Sequence, residues 1–389
     1  MSFYPSHPNT NLFPADGKGF PHFMLKEIYE QPEVVQTCLS HYLSEERFLS
    51  GSSDHFISSP LNQIHILGSG TSRHAGLVAQ YWLEQIVGIP TRVRSASEFL
   101  SAPLPVVANT LTIAITQSGE TSDTLAAATQ QQASYSRVAG LFTSRLIGIT
   151  NQPQSSLARV VDQVFPTLAG DEIGVAATKT FTTQLVVLAC LTVYLARCLK
   201  TVSQERSHQL ITELQCLPVK IAAVLEQQKA IIQEMAQKLA PARHCIVLGQ
   251  GVNRAIALEG ALKLKETTYI HAEGYAAGEF LHGPIALLEP GIPVIAIVMS
   301  DHSYEQVLNT VRKVKSHNVP VLGITGATVP SEASQILDHQ ITLPTTDELL
   351  SPFLTVVPLQ LLAYYTAVQR GLDVDRPRNI TKTLVVPES

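Results

Sequence analysis

Charge is scarce in this sequence. Asp, Glu, Lys and Arg make up 15% of the 389 residues, and the formal net charge is −5, against about 25% charged residues in an average globular chain. That scarcity excludes a disordered polyelectrolyte. With 45% apolar residues it points to extensive burial, between subunits as well as within the chain. There is no Lys/Arg-rich run, which argues against a nucleic-acid partner. Cysteine is scattered: Cys38, Cys190, Cys198, Cys216 and Cys245 include no CxxC pair. Neither a disulfide framework nor a zinc site is expected, and the five read as small core residues in a reducing cytoplasm. The longest apolar run, Leu185 to Ala196, is about a dozen residues and too short to cross a bilayer, so no membrane partner is expected. Met1 to Lys18 is polar, contains prolines and lacks the apolar core of a signal peptide. It reads as an arm, and the protein is expected in the cytoplasm. A GKT or GKS phosphate loop is also missing, which disfavours ATP.

What is present is an alternation. Ile64–Leu67, Leu111–Thr116, Leu146–Thr150 and Gln163–Phe165 read as short strands. Helix-like stretches over Met24–Leu43, Ser72–Val87 and Asp123–Ser136 flank them. Apolar strands alternating with helices imply an α/β fold whose parallel sheet is covered on both faces, a doubly wound αβα sandwich of the flavodoxin-like kind. The second half repeats the plan. Leu67-Gly-Ser-Gly70 with Arg73 matches Leu248-Gly-Gln-Gly251 with Arg254 at an offset of 181 residues. Ile113-Ala-Ile115 matches Ile295-Ala-Ile297 at 182, and Ile147-Gly-Ile-Thr150 resembles Leu322-Gly-Ile-Thr325 at 175. Near-constant offsets imply a duplicated domain. The expected division is an arm and helix over 1–44, a first domain over 45–200, a helical linker over 201–229, a second domain over 230–370 and a tail over 371–389.

Gly68-Ser-Gly70 is not a dinucleotide fingerprint. Arg73 stands where the third glycine would let helix and strand pack closely, and Glu98 is too distant to serve as the ribose-binding acid. No cofactor is expected. A better phosphate candidate is Thr116-Gln117-Ser118-Gly119-Glu120-Thr121, between a strand and a helix start. Its hydroxyls and free N–H groups, with the positive helix end, can cradle one phosphate. Thr71 and Ser72 lie at the adjacent strand end and could close it. An ordinary capping turn reads the same way, since Ser and Thr favour helix starts. At the matching place in the second half, Asp301 would repel a phosphate.

Thr116-Gln-Ser-Gly-Glu-Thr121 resembles the SQSGET motif of the sugar isomerase (SIS) domain family. Met24-Leu-Lys-Glu-Ile-Tyr-Glu-Gln-Pro32, Glu172-Ile-Gly-Val-Ala-Ala-Thr-Lys179, Ala257-Leu-Glu-Gly-Ala-Leu-Lys-Leu-Lys-Glu266 and Asp373-Val-Asp-Arg-Pro-Arg-Asn379 look like the isomerase half of the glutamine–fructose-6-phosphate aminotransferases. From Met24 onward the resemblance implies two tandem SIS domains acting on a hexose or hexosamine 6-phosphate. It also implies ring opening, a lysine imine and a C1–C2 proton shift. Glu266 would be the base, a carboxylate able to take and return a proton. His282, in Gly278-Glu-Phe-Leu-His-Gly-Pro284, would open the ring and would reach the neighbouring subunit's site, which implies a homodimer. Lys382 would form the imine. Lys263 lies on one helical face with Glu266 and would hold the open-chain sugar or tune the base. Val175, Ala177 and Arg378 fall in segments that would contact substrate. His271 and His65 read as structural, and no metal is implied.

The departures are Thr116 for a serine, Ala177 for a serine and Thr381 for an alanine. The chain starts Met1-Ser2-Phe3, without the N-terminal cysteine that releases ammonia from glutamine in these aminotransferases, so glutamine hydrolysis is not expected. The same constellation could deaminate glucosamine 6-phosphate, aminate fructose 6-phosphate with free or partner-supplied ammonia, or isomerise without nitrogen. Deamination is the leading expectation. A non-catalytic sugar-phosphate sensor is the alternative of another class, and it predicts loss of Glu266 or Lys382, both of which are present.

Overall fold

A computed structural model describes residues 19–43, 61–137 and 144–382. The expected arm falls on residues 1–18, outside the described residues. Among the described residues, ten strands form two five-stranded sheets. The first holds β1 (Gln63–Gly68), β2 (Thr91–Ser95), β3 (Thr110–Ile115), β4 (Ser144–Thr150) and β5 (Gln163–Pro166), in the order β2-β1-β3-β4-β5. The second holds β6 (His244–Gly249), β7 (His271–Ala276), β8 (Val294–Val298), β9 (Val321–Gly326) and β10 (His339–Leu343), in the order β10-β9-β8-β6-β7. Every pairing is parallel. Read from opposite edges, the two orders are the same doubly wound order, with its switch point beside the first strand of each copy.

Register carries the repeat down to single residues. Leu67, Ala114 and Gly148 lie in one row across the first sheet, and Leu248, Ala296 and Gly323 lie in the corresponding row of the second. The inner strands are buried along nearly their whole length, as β3 (Thr-Leu-Thr-Ile-Ala-Ile) shows, because helices cover both faces of a parallel sheet. Strands β2, β7 and β10 are absent from the sequence reading. They are edge strands carrying Arg92 and Arg94, His271 and Glu273, and His339. Charge placed there blunts an open edge and hides the apolar run that marks a strand.

The helix expected over Met24–Leu43 is two helices, Phe23–Tyr29 and Gln31–Leu43. Pro32 at the second position of the latter suits a helix start, where its missing N–H costs nothing. The 201–229 stretch holds the helix Gln204–Gln227, which packs on Gln31–Leu43 and on Pro352–Gln369 and so belongs to the body of the fold. Helices Lys179–Leu199 and Pro352–Gln369 form the centre and are buried almost throughout. Two stretches, Lys179–Leu199 and Glu348–Gln369, are long and apolar enough to cross a membrane, but 83% and 94% of their most apolar windows are buried inside the fold. Trp82 ties the halves together: its Nε1 donates to the Leu349 carbonyl at 2.6 Å and its ring stacks on Phe353. Cys38, Cys190 and Cys245 are buried as expected, but Cys198 and Cys216 are exposed. Both sit on helices whose remaining faces supply the core, so the cysteine itself is not needed there.

Candidate active site

The helix Asn253–Thr268 follows β6 and packs against the helix Gly70–Trp82 of the first domain. Glu259, Lys263 and Glu266 recur on it at spacings of four and three, so they share one face. Lys263 is 1% exposed. Its ammonium lies 2.5 Å from a Glu266 oxygen and 3.5 Å from Glu259, and it donates to the Thr71 hydroxyl at 3.2 Å. Burial opposes the charge on Lys263, yet the flanking carboxylates of Glu266 and Glu259 outweigh it and hold the ammonium above the ordinary lysine range. Glu259 is fully buried and accepts from Thr71 Oγ1 at 3.0 Å, with His74 Nδ1 at 2.7 Å from its other oxygen. Burial would raise its pKa, but Lys263, His74 and Thr71 together keep it below the usual carboxylate value. Glu266 keeps 23% of its side chain exposed. A fixed cation therefore grips a carboxylate that a ligand can still reach.

A second group of charges abuts the first. The Lys382 ammonium donates to Glu172 Oε2 and to the Gly174 carbonyl, each at 2.8 Å. Glu172 is buried and accepts the N–H groups of Thr178 (2.9 Å) and Thr180 (3.1 Å) and the Thr180 hydroxyl (2.8 Å). Burial pushes its pKa up, but Lys382 and these donors overcome that and lower it. Glu172 also adds to the field that keeps Lys263 charged, so the two groups form one electrostatic unit. Beneath them Glu27, on Phe23–Tyr29, accepts from the Ile173 and Gly174 N–H groups. Its second oxygen is buried without a partner. Burial, with the Glu172 charge second, raises Glu27 to about 8. The tail is fastened at Asp375, whose carboxylate receives the Phe23 and Met24 N–H groups at 2.9 and 2.8 Å, while its carbonyl receives that of Val175.

The 116–121 turn joins β3 to the helix Ser122–Arg137. Thr116 and Thr121 hydroxyls lie 2.7 Å apart, and Ser118 Oγ accepts the Glu120 N–H at 3.1 Å. Gly119 has φ +70°, and a Cβ there would fall 1.9 Å from Ser155 Oγ, so only glycine fits. The carbonyl of Gln117 receives the Asn151 N–H at 3.0 Å. The N–H groups that open a helix have no intrahelical acceptor and remain available to a ligand. Across the repeat, Asp301 fills the matching turn with its own carboxylate, accepting from Ser303 N (2.8 Å) and Oγ (2.6 Å).

Several expected contributors stand elsewhere than the sequence reading put them. The hydroxyl of Thr71 is engaged by Glu259 and Lys263, and Ser72 Oγ accepts from Gln184 at 3.1 Å. Arg378 stacks its guanidinium 4.1 Å over the Tyr269 ring and gives its N–H to the Tyr269 hydroxyl, which pins the tail to the end of the Glu266 helix. His282 is exposed, in a turn after the short helix Ala277–Phe280; its N–H donates to the Glu279 carbonyl at 3.0 Å, and its imidazole has no hydrogen-bond or ion-pair partner among the described residues. Val175 and Ala177 are half-buried in the segment that holds Lys382. His65 is buried with both ring nitrogens unpartnered, held neutral by burial and by Arg92 and Arg94, at about 4. Glu27, Glu172 and Glu259 fall inside the resembling segments but have no role in the sequence reading, and His74 is absent from it. Glu259 also carries a spacing signal, four residues before Lys263 and seven before Glu266. Among the described residues, no group of three or more His, Cys, Asp or Glu side chains gathers as a metal site.

The SIS domain family matches residues 59–194 and 238–370. A glutamine–fructose-6-phosphate aminotransferase (isomerizing) from Thermosynechococcus vestitus is 46% identical over 385 residues. The match takes in 97% of this chain and 61% of that protein, so the chain spans about three fifths of the relative's length. Among solved structures, the C-terminal domain of glucosamine-fructose-6-phosphate aminotransferase from Francisella tularensis is similar with a TM-score of 0.86 at 35% identity, covering 93% of this chain and 100% of that one. A glucosamine-6-phosphate deaminase from Thermotoga maritima is similar with a TM-score of 0.69 at 25% identity, covering 94% and 100%.

Proposed function

The chain belongs to the SIS-domain family and carries two such domains, and from that premise we propose that it runs the isomerase chemistry of an amino-sugar phosphate, joining ammonia to fructose 6-phosphate to give glucosamine 6-phosphate. The observation that supports this reading most is that the Lys263–Glu266 pair of one helix and the Lys382–Glu172 pair of the tail and first domain are linked through the charge of Glu172.

In this reading the 116–121 cradle holds the 6-phosphate, and His282 reaches in from a second copy of the chain to open the ring. Lys382 passes its proton to Glu172, adds to the C2 carbonyl and expels water as the imine forms. Ammonia then displaces the lysine from C2. Glu266, steadied by Lys263, takes a proton from C1 and returns it to C2, leaving the 2-amino aldose. Fructose 6-phosphate and ammonia are consumed, and glucosamine 6-phosphate and water are released.

The sequence alone favoured deamination. Amination takes its place because the relatives matched over nearly all of this chain are aminotransferases. The same residues run backwards as a deaminase, and the likeness to the Thermotoga maritima protein keeps that second reading. One experiment separates them. Purified protein is given fructose 6-phosphate with ammonium, fructose 6-phosphate with glutamine, and glucosamine 6-phosphate alone, while ammonia and both sugars are followed. Amination from ammonium is expected, and glutamine use would reveal a nitrogen source within or bound to the chain. Glucosamine 6-phosphate consumed with no amination under any condition would install the deaminase. Tight sugar-phosphate binding without turnover would overturn both.

A further inference from the structure

The short helix Phe23–Tyr29 fastens two parts of the candidate site that lie far apart in sequence. At its start the Phe23 and Met24 N–H groups hold the Asp375 carboxylate, in the tail that carries Lys382. One turn on, Glu27 accepts the N–H groups of Ile173 and Gly174, the latter at 3.1 Å. Just past the helix end, Glu30 holds the Lys179 ammonium at 2.8 Å. The segment between Ile173 and Lys179 is therefore tied at both ends to this one helix. Lys382 takes its two acceptors, Glu172 Oε2 and the Gly174 carbonyl, from the same stretch. Gly174 is the link, with its N–H on Glu27 and its carbonyl on Lys382. A Cβ at Gly174 would fall 2.8 Å from the second Glu27 oxygen, so carboxyl and backbone are in direct contact.

We propose that Glu27 is the positioning residue of Lys382: it fixes the Ile173–Gly174 turn, so that the Gly174 carbonyl and Glu172 hold the Lys382 amine in one place. The importance of that place rests on the reading of Lys382 as the imine lysine. At 1% exposure Glu27 cannot touch a sugar, so its effect must pass through the turn. A carboxyl suits the task because one oxygen accepts both N–H groups, and a buried N–H stripped of its acceptor drives the backbone to rearrange. Glutamine keeps such an oxygen, and alanine removes it. Burial and Glu172 raise Glu27 to about 8. Near neutrality it therefore braces the turn without setting a second negative charge beside the lysine.

The test takes two readings on the full chain at pH 7, in wild type, Glu27→Ala, Glu27→Gln, Gly174→Ala and the Glu27→Ala/Gly174→Ala double variant. The first is the rate at which formaldehyde and cyanoborohydride methylate Lys382 without sugar, followed by mass spectrometry, with the buried Lys263 as internal reference. The second is the rate at which borohydride traps an adduct with fructose 6-phosphate, set beside calorimetric affinity for that sugar. In Glu27→Ala, Lys382 should methylate roughly tenfold faster and trap roughly tenfold more slowly, the scale of one lost hydrogen bond, while affinity and Lys263 stay near wild type. Glu27→Gln should bring both rates back toward wild type. Gly174→Ala should act as Glu27→Ala does, because its methyl displaces the carboxyl. The double variant should be no worse than Glu27→Ala alone, since the missing carboxyl leaves room for the methyl. Should Glu27→Ala fail to fold, Gly174→Ala carries the same readings. Unchanged methylation of Lys382, glutamine behaving as alanine, or a parallel rise at Lys263 overturns the proposal, the last by making Glu27 a support of the whole fold. If wild type gives no adduct, the imine reading falls, and methylation still decides whether Glu27 places Lys382.

Discussion

Lys382 holds Glu172 and the Gly174 carbonyl at the same 2.8 Å, so the last lysine before the end of the described chain is tied to the centre of the fold. A near-terminal lysine is ordinarily a surface residue. Here its side chain is 10% exposed and its partner is fully enclosed.

That pairing makes the imine assignment separable from stability. Lys382→Ala leaves the buried Glu172 charge without its cation, which for a buried pair costs about 3–5 kcal/mol. Lys382→Arg keeps a cation there but cannot form an imine. Both variants should lose amino-sugar turnover and give no sugar adduct on borohydride reduction, read by mass spectrometry. Only the alanine variant should unfold at clearly lower denaturant. A reducible adduct in Lys382→Arg would place the imine on another lysine.

Glu266→Gln should still fold, because Glu259 remains beside the buried Lys263 ammonium, but at a lower denaturant midpoint, since Lys263 loses its nearest counter-charge. Turnover should fall about 10²–10⁴-fold, the usual contribution of one general base. Exchange of the sugar C1 proton with deuterated water, followed by NMR, should stop. Continued exchange would assign the proton shift elsewhere.

Gly119→Ala probes the cradle. Its positive φ and the 1.9 Å approach to Ser155 mean that the new methyl must move the turn. Backbone strain of about 1–3 kcal/mol is expected, together with weaker binding of fructose 6-phosphate in calorimetry. Unaltered sugar-phosphate affinity would separate this turn from the phosphate.

Glu27 gives a pH dependence with a definite sign. Its folded pKa of about 8 stands above the 4.5 of a free carboxyl. Between those values the folded state keeps a proton that the unfolded state has released, so this group's stabilisation is full below about 4.5 and is lost as pH rises through 8. The slope it adds is at most about 1.4 kcal/mol per pH unit. Glu172, whose pKa is lowered, acts in the opposite sense and in a more acidic range. Glu27→Gln should therefore flatten urea stability from pH 5 to 8 and exceed wild type at the upper end. A curve parallel to wild type would mean that Glu27 is ionised throughout.

The fold was legible where physics leaves one signal and obscure where two signals compete. The inner strands β1, β3, β4, β8 and β9 announce themselves because both faces are buried and the apolar run is unbroken. Edge strands mix that signal with protective charge, and β2, with Arg92 and Arg94 in five residues, reads as a loop. In the site, Lys263 and Glu266 could be placed on one face by counting along the helix. Glu172 could not be paired with Lys382, nor Glu27 with the Ile173 N–H, in that way, because those contacts span 210 and 146 residues of sequence and arise only when the tail and the N-terminal helix fold back on the first domain. The stacking of Arg378 on Tyr269 was hidden for a related reason: its motif marks the tail, but the contact spans 109 residues of sequence.

Asp301 gives the duplication a direction. Its carboxylate sits in the second domain's turn as a permanent tenant, holding Ser303 through two bonds whether or not any sugar is near. In the first domain the matching bond at 116–121 comes from the neutral Ser118 hydroxyl to the Glu120 N–H, so that turn carries no anion of its own. One copy is thus given its anion in advance by its own chain, and the other is left for a visitor to complete. Ligand-dependent ordering should accordingly be lopsided, concentrated around Thr116–Thr121 while the twin turn stays still.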